Sequence, residues 1–327
     1  MKKKLIILIL AFNLLLIAGV MIYVYNFSEE EIENAGKPQI ITDQSKKITY
    51  NGQTEELRSR LRTVLIIGID GEETLPEYGA DDLIPFINRQ QADFITLVVI
   101  DDANKKVDLI QINRDTMTDV PYLGVTGEFG GHVYEQIALS HNFGSGLDDS
   151  CKNTCRAVSE FLFNAPVDHY INLSMAAIPI LNDAIGGVTV KVEDDMTAVD
   201  PELIQGSTVK LKGDQAIKFV RMRKDVADQT NISRMRRQRT FINGYISQAK
   251  SALNEDANVI YKSILKVGKY MLTDMSTDSL THLFDSICNY ELHETYSPVG
   301  KSVEGEKYME FYPDLDQMWE KLKDMLC

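Results

Sequence analysis

The sequence predicts an α/β domain behind one N-terminal transmembrane helix, and three observations carry that reading. Three apolar segments follow one another closely, TVLIIGI at 63–69, FITLVVI at 94–100 and VDLIQI at 107–112. They are too short for helices and rich in β-branched residues, the signature of strands. Downstream, stretches with helical periodicity alternate with further short strands, the order of an α/β fold. Ahead of all this, three lysines precede an apolar run from Leu5 to Tyr25.

That run of about 21 residues, at roughly 1.5 Å each, is long enough to cross a hydrocarbon core of roughly 30 Å. The short basic end favours the cytoplasm, Tyr23 and Tyr25 suit the far interface, and no good cleavage site ends the run. The expected layout is a cytoplasmic tail at 1–4 and a transmembrane helix at 5–25. The rest then lies outside, giving a single-pass protein of the cell membrane with an extracellular domain. Residues 26–60 are polar and interrupted by Gly36 and Pro38, and read as an extracellular stalk.

Within the domain the first two strands are nearly continuous in apolar residues, as expected when both faces of a sheet are covered. The turn Asp101-Asp102-Ala103-Asn104 makes the second and third a hairpin. The polar loop from Gly71 to Ala92 is longer than a compact domain tolerates without a purpose. A helix is expected over 150–163 behind a serine cap, a strand over 169–173, a helix over 174–184 and a turn into a strand over 187–192. Two helices follow at 213–223 and 232–250, then helical segments near 257–288 and 313–326 and a short strand at 308–312.

Formal charge is −14, from 34 basic and 48 acidic residues. Nucleic-acid affinity comes largely from neutralising phosphates, so that balance excludes nucleic acid as the partner. Four cysteines, Cys151, Cys155, Cys288 and Cys327, allow three disulfide connectivities that sequence does not choose between. The Cys-x-x-x-Cys at 151–155 lacks the companions of a zinc site. No Walker-type loop is present, no histidine pair has metalloprotease spacing, and Ser140-His141 and Gly144-Ser145-Gly146 lack the elbow context of a serine nucleophile.

The densest chemical signal is the stretch 218–239, with Lys218, Arg221, Arg223, Lys224, Arg234, Arg236, Arg237 and Arg239. Converging guanidinium forks suit a pyrophosphate. Arg234, Arg237 and Gln238 fall at i, i+3 and i+4 on one helical face. Arg221 and Arg223 do not share a face, so if both serve one site the chain must leave the helix between them. Arg114 and Asp115 follow the third strand, and Asp70 follows the first. Asp93 opens the middle strand, and antiparallel pairing with the third brings it near Arg114. Asp70 and Asp93 could share a hard cation such as magnesium, which takes one or two carboxylates together with phosphate oxygens.

The stretches TVLIIGID, ADFITLVVID, KKVDLIQINRDTM, PVDHYINLSMAAIPILNDAIGGVTVKV and LKGDQAIKFVRMRKD through ISRMRRQ together resemble the LytR-CpsA-Psr family of cell-wall glycopolymer ligases. The resemblance implies an α/β/α sandwich around a mixed β-sheet over 61–327, with a core at 61–250 and a C-terminal extension at 251–327, and an apolar interior pocket for a lipid chain. It implies a phosphotransferase that moves a polyprenyl-pyrophosphate-linked polymer, of teichoic acid or capsular polysaccharide type, onto a peptidoglycan hydroxyl. Arg114, Arg221, Arg223, Arg234 and Gln238 fall on its pyrophosphate-gripping positions, and Asp70 and Asp93 on its acids for Mg2+ or Mn2+. Arg114, Asp93 and Asp115 are the expected catalytic residues, with Asn231 and Arg237 as further contacts. Asn231 stands where the family often has aspartate, with Asp228 as a nearby substitute, and Gln91-Ala92 replaces its usual Arg-Ser. The rival readings are a hydrolase of the same lipid-linked pyrophosphate and a non-catalytic binding module.

Overall fold

A computed structural model describes residues 46–69, 90–124 and 126–327. Strands β1 (Lys47–Tyr50) and β2 (Gln53–Glu56) form a hairpin. β3 (Leu61–Ile69), β4 (Ala92–Asp101) and β5 (Lys106–Ile112) follow, then a second hairpin of β6 (Met117–Leu123) and β7 (Phe129–Gln136). Next come α1 (Leu147–Phe161), β8 (His169–Ser174), α2 (Ala177–Ala184), β9 (Thr189–Lys191), β10 (Thr208–Lys210), α3 (Asp214–Arg221) and α4 (Asn231–Glu255). The chain closes with α5 (Val259–Val267), β11 (Met271–Thr273), α6 (Thr277–Asn289), β12 (Glu291–Tyr296), β13 (Gly300–Glu304), β14 (Met309–Pro313) and α7 (Leu315–Leu326).

The central sheet has the order β11-β8-β3-β4-β5-β12. It is mixed: β3 runs antiparallel to β4 and parallel to β8, and β5 runs antiparallel to β4 and parallel to β12. Alternation sorts its side chains into two cores. Leu65, Ile67, Ile69, Ile95 and Leu97 face α1 and α7, whereas Val64, Val98, Val107, Leu109 and Ile171 face the layer built from α2 to α6. This double covering is why β3 and β4 read as unbroken apolar runs, and the result is the expected α/β/α sandwich.

One part of the expected fold class is corrected. The longest helix among the described residues, α4, has 25 residues but carries Arg234, Arg236, Arg237 and Arg239 in its first turns. Among the described residues no helix is long and apolar enough to cross a membrane. The stretch 5–25 given that role lies outside the described residues, as do residues 71–89 of the loop expected over 71–92. The single-pass membrane placement, which rested on that helix, is withdrawn with it.

Two further differences have local causes. Residues 47–56, read as part of a stalk, fold back on the domain: Ile48 is fully buried and Tyr50 packs against Phe163 and Trp319 with ring centroids 4.6 and 5.9 Å away. Helix α1 starts three residues before the expected serine cap. Gly146 is its N-cap, and Ser150 Oγ accepts the Gly146 N–H at 3.2 Å from inside the first turn. The four cysteines are free thiols, and Cys151 and Cys155 lie buried in the first core.

Candidate active site

The register of β4 and β5 pairs Ile95 with Ile112. Two residues further out on each strand, Asp93 and Arg114 meet in an ion pair, and Arg114 Nη2 also donates to Gln91 Oε1. Arg114 Nε lies 3.4 Å from Asp115 Oδ1. Asp115 is itself buried and accepts from Gln136 Nε2 at 3.4 Å. Burial raises the Asp115 pKa above the ordinary carboxylate value, against the opposing pull of Arg114, Arg223 and Arg234.

Helix α4 brings the second half of the site. Thr230 caps it by accepting the Ser233 N–H at 3.2 Å. Asn231, at its first residue, donates to Asn113 Oδ1 at 2.6 Å and accepts from Arg234 Nε at 2.9 Å. Arg234 is only 4% exposed, and its Nη2 is buried without a hydrogen-bond partner. Burial, reinforced by Arg223 and Arg114, pushes the Arg234 pKa down to about 9. A buried donor left unpaired costs roughly 1–3 kcal/mol, more when charged. Three guanidinium groups, Arg114, Arg223 and Arg234, thus share the site with two carboxylates, Asp93 and Asp115. A polyanion entering there relieves their mutual repulsion and gives the Arg234 fork its partner.

The two neighbouring arginines are placed by the end of α3. That helix stops at Arg221, and Met222 adopts an extended conformation with φ −66° and ψ 135°. The chain therefore leaves the helix between Arg221 and Arg223, the geometry that a shared site for both would need. Arg221 is half-buried at the helix end, and Arg223 follows in the loop, close enough to act on both Asp115 and Arg234.

Arg237 is the expected contact that the structure turns elsewhere. It is 2% exposed, donates from Nε to the Phe219 carbonyl at 3.1 Å and from Nη2 to the Met222 carbonyl, and pairs with Asp194 at 2.9 Å. It caps the C-terminus of α3 and so holds the segment that presents Arg221 and Arg223. Arg236 pairs with Glu193 at 3.0 Å and with Asp194. Asp228 is taken up by the turn before α4, accepting from the Thr230 N–H at 3.1 Å and hydroxyl at 2.8 Å. Asp70 lies outside the described residues.

Gln238 links the polar cluster to an apolar cavity. Its Nε2 donates to the Val220 carbonyl at 3.3 Å, its Oε1 accepts from Gln111 Nε2 at 3.3 Å, and it lines a cavity of about 220 Å³. The cavity runs between the sheet and the α4–α6 layer, walled by Ile66, Phe94, Val98, Leu109, Ile171, Phe241, Tyr245, Ile260 and Phe284. Close approaches of the backbone shape it. A Cβ at Gly68, on its wall, would meet the Phe94 Cβ at 2.8 Å, and one at Gly244 would meet Val188 Cγ1 at 2.7 Å where α4 lies against β9.

Sequence reasoning missed Asn113, Gln111 and Gln136. Asn113 precedes the strand-end arginine and orders Asn231, Gln111 faces Gln238 from β5, and Gln136 reaches Asp115 from a hairpin that had no apolar signal. Only the position of Asn113 beside Arg114 offered a clue.

The buried cation cluster and the apolar cavity of this α/β/α sandwich offer complements to an anionic group and to an apolar chain. The chain belongs to the LytR_cpsA_psr family, whose model matches residues 22–324. It is 27% identical over 292 residues to the polyisoprenyl-teichoic acid–peptidoglycan teichoic acid transferase TagU of Bacillus anthracis, covering 89% of this chain and 84% of that protein. TagU of Enterococcus faecalis is 29% identical over 241 residues, covering 73% and 68%. Among solved structures, TagT bound to LI-WTA superposes with a TM-score of 0.62 at 20% identity, covering 86% of this chain and 96% of that one. That last likeness shows the fold alone.

Proposed function

We propose that this chain transfers a lipid-linked anionic glycopolymer, of teichoic acid or capsular type, onto peptidoglycan through a phosphodiester bond. The observation that carries the reading is the unpartnered, buried Nη2 of Arg234, one helical turn before Gln238, which lines the apolar cavity. A polyprenyl pyrophosphate has both complements: phosphate oxygens for Arg114, Arg221, Arg223, Arg234 and Gln238, and an apolar tail for the cavity.

In the reaction, an acceptor hydroxyl oxygen attacks the phosphorus bearing the polymer, and the bond from that phosphorus to the bridging oxygen breaks. Polyprenyl phosphate leaves, and the hydroxyl proton passes to a carboxylate. Asp115 is suited to take it, since its raised pKa makes it a better base than an ordinary carboxylate while Arg114 stays within reach. Asp93 is held by Arg114 and steadies the fork that faces the donor. The guanidinium groups neutralise charge on the departing phosphate, the main electrostatic contribution in phosphoryl transfer.

Asp93 also fits a hard cation. It is a buried carboxylate one residue from Ala92, which pairs with Ile69 at the end of β3, and Asp70 is next in sequence. Asp70 and Asp93 would hold Mg2+ or Mn2+, which when bound would offset phosphate charge. Magnesium titrated by calorimetry should bind more tightly with pyrophosphate present, and equal affinity in both conditions would count against the metal.

The transfer itself is tested by incubating the chain with polyprenyl-pyrophosphate-linked polymer, with and without peptidoglycan. Polymer covalently attached to peptidoglycan is the expected product. Release of polymer to water at the same rate in both reactions would make the chain a hydrolase.

A further inference from the structure

The β6–β7 and β13–β14 hairpins carry an exposed aromatic surface beside the site that the donor does not use. Tyr134 is 55% exposed and Tyr312 is 40% exposed. Asp119 stands directly across the β6–β7 pair from Tyr134, and the Tyr312 hydroxyl donates to Glu310 at 2.6 Å. Burial and then the charges of Asp119 and Glu310 raise the Tyr134 pKa; the Glu310 hydrogen bond raises that of Tyr312, with Tyr134 adding to it. The Tyr308 hydroxyl donates to Glu135 and Gln136 Nε2 donates to the Met309 carbonyl, so the two hairpins lie side by side and the four side chains form one patch.

That patch is continuous with the candidate active site. The Phe311 N–H donates to the Asp115 carbonyl at 2.8 Å, and Thr116 bridges to Phe311. Gln136, two residues along β7 from Tyr134, donates to Asp115 Oδ1 at 3.4 Å and to the Met309 carbonyl at 2.7 Å. Two residues of strand span about 7 Å, the scale of one sugar unit.

We infer that the Tyr134–Tyr312 patch docks the acceptor glycan, a neutral N-acetylated sugar chain that lies across the two rings and presents a hydroxyl to Asp115. This rests on the reading of the chain as a transferase onto peptidoglycan. Pyranose rings are amphipathic, with C–H faces that pack on aromatic surfaces and hydroxyls that donate to carboxylates such as Asp119 and Glu310. The charge pattern separates the two substrates. Carboxylates around the tyrosines repel an anionic donor polymer, while the guanidinium cluster attracts its pyrophosphate.

The test titrates the full chain with the β-1,4-linked tetramer of N-acetylglucosamine and, separately, with geranyl pyrophosphate. Wild type should bind the tetramer, Tyr134→Ala and Tyr312→Ala should each bind it about tenfold more weakly, and Tyr134→Phe should stay near wild type because the ring is kept. Geranyl pyrophosphate binding should be unchanged in all three variants. Wild type that ignores the tetramer, or alanine variants that bind it as wild type does, would overturn the glycan surface. If wild type binds the tetramer in this pattern but not geranyl pyrophosphate, the surface stands and the donor reading fails.

Discussion

Asp93 and Arg114 face each other from the start of β4 and the end of β5 and close an ion pair at the mouth of the site. Their side chains are 7% and 14% exposed, so each carries the other's charge out of water. Removing one member of such a pair costs roughly 3–5 kcal/mol because the remaining charge is stranded. Arg114→Ala is therefore expected to lose transfer and also to melt at lower temperature. Arg114→Lys separates the two effects. It keeps the charge and most of the stability, yet should lose transfer on the order of 100-fold, because an ammonium cannot form the paired fork on phosphate. Steady-state rates beside thermal melts of both variants check this.

Arg234 and Arg237 are both buried on α4 and are expected to behave oppositely. Arg237→Met removes the donor to Asp194 Oδ2 and to the Phe219 and Met222 carbonyls at the end of α3, so it should destabilise the fold by roughly 3 kcal/mol. Arg234→Met removes a charge that repels Arg114 and Arg223 and should leave stability nearly unchanged or raise it. It should, however, abolish the thermal stabilisation that pyrophosphate gives wild type. Chemical denaturation with and without pyrophosphate distinguishes the two.

Asn231 orients Arg234 through a neutral amide, so the arginine keeps its charge for a ligand. Asn231→Asp should weaken pyrophosphate binding by about tenfold, since a carboxylate at hydrogen-bond distance competes for the same guanidinium. Calorimetric titration of both chains reads this directly.

With Asp115 as the proposed base, the acid side of the pH profile is expected to follow its carboxylate, and transfer should fall as pH drops through its pKa. Burial raises that pKa, which places the fall above the ordinary carboxylate range. Asp115→Asn should remove this limb together with most of the rate, while pyrophosphate affinity survives. A pH series of kcat/KM for wild type and variant provides the check.

The parts of this site that could be read in the sequence are those set by strand register. Asp93 opposite Arg114 follows from two apolar runs joined by a tight turn, and helix geometry demands a break between Arg221 and Arg223 if both serve one site. Arg237 shares the helical spacing of Arg234 and Gln238, yet its side chain is claimed by Asp194 and the α3 carbonyls, partners far away in sequence. The β6–β7 hairpin was invisible because MTDVPYL and FGGHVYEQ have little apolar alternation; much of their pairing faces solvent. The β1–β2 hairpin reads as a stalk for the same reason, although Ile48 and Tyr50 tie it to the core. β12 joins the sheet edge with the sequence ELHETY, whose burial is partial and whose pattern says little on its own.

The central claim is that one ligand places its pyrophosphate on Arg114 and Arg234 and its apolar tail in the adjoining cavity. The most direct measurement compares the affinity of inorganic pyrophosphate with that of geranyl pyrophosphate, in wild type and in Ile246→Trp, whose larger side chain occupies the cavity. The account predicts that the geranyl tail tightens binding in wild type, by about tenfold for each 1.4 kcal/mol of apolar burial, and that Ile246→Trp cancels this gain while inorganic pyrophosphate binds as before. Equal affinities of the two ligands in wild type, or a tail gain that survives Ile246→Trp, would contradict it.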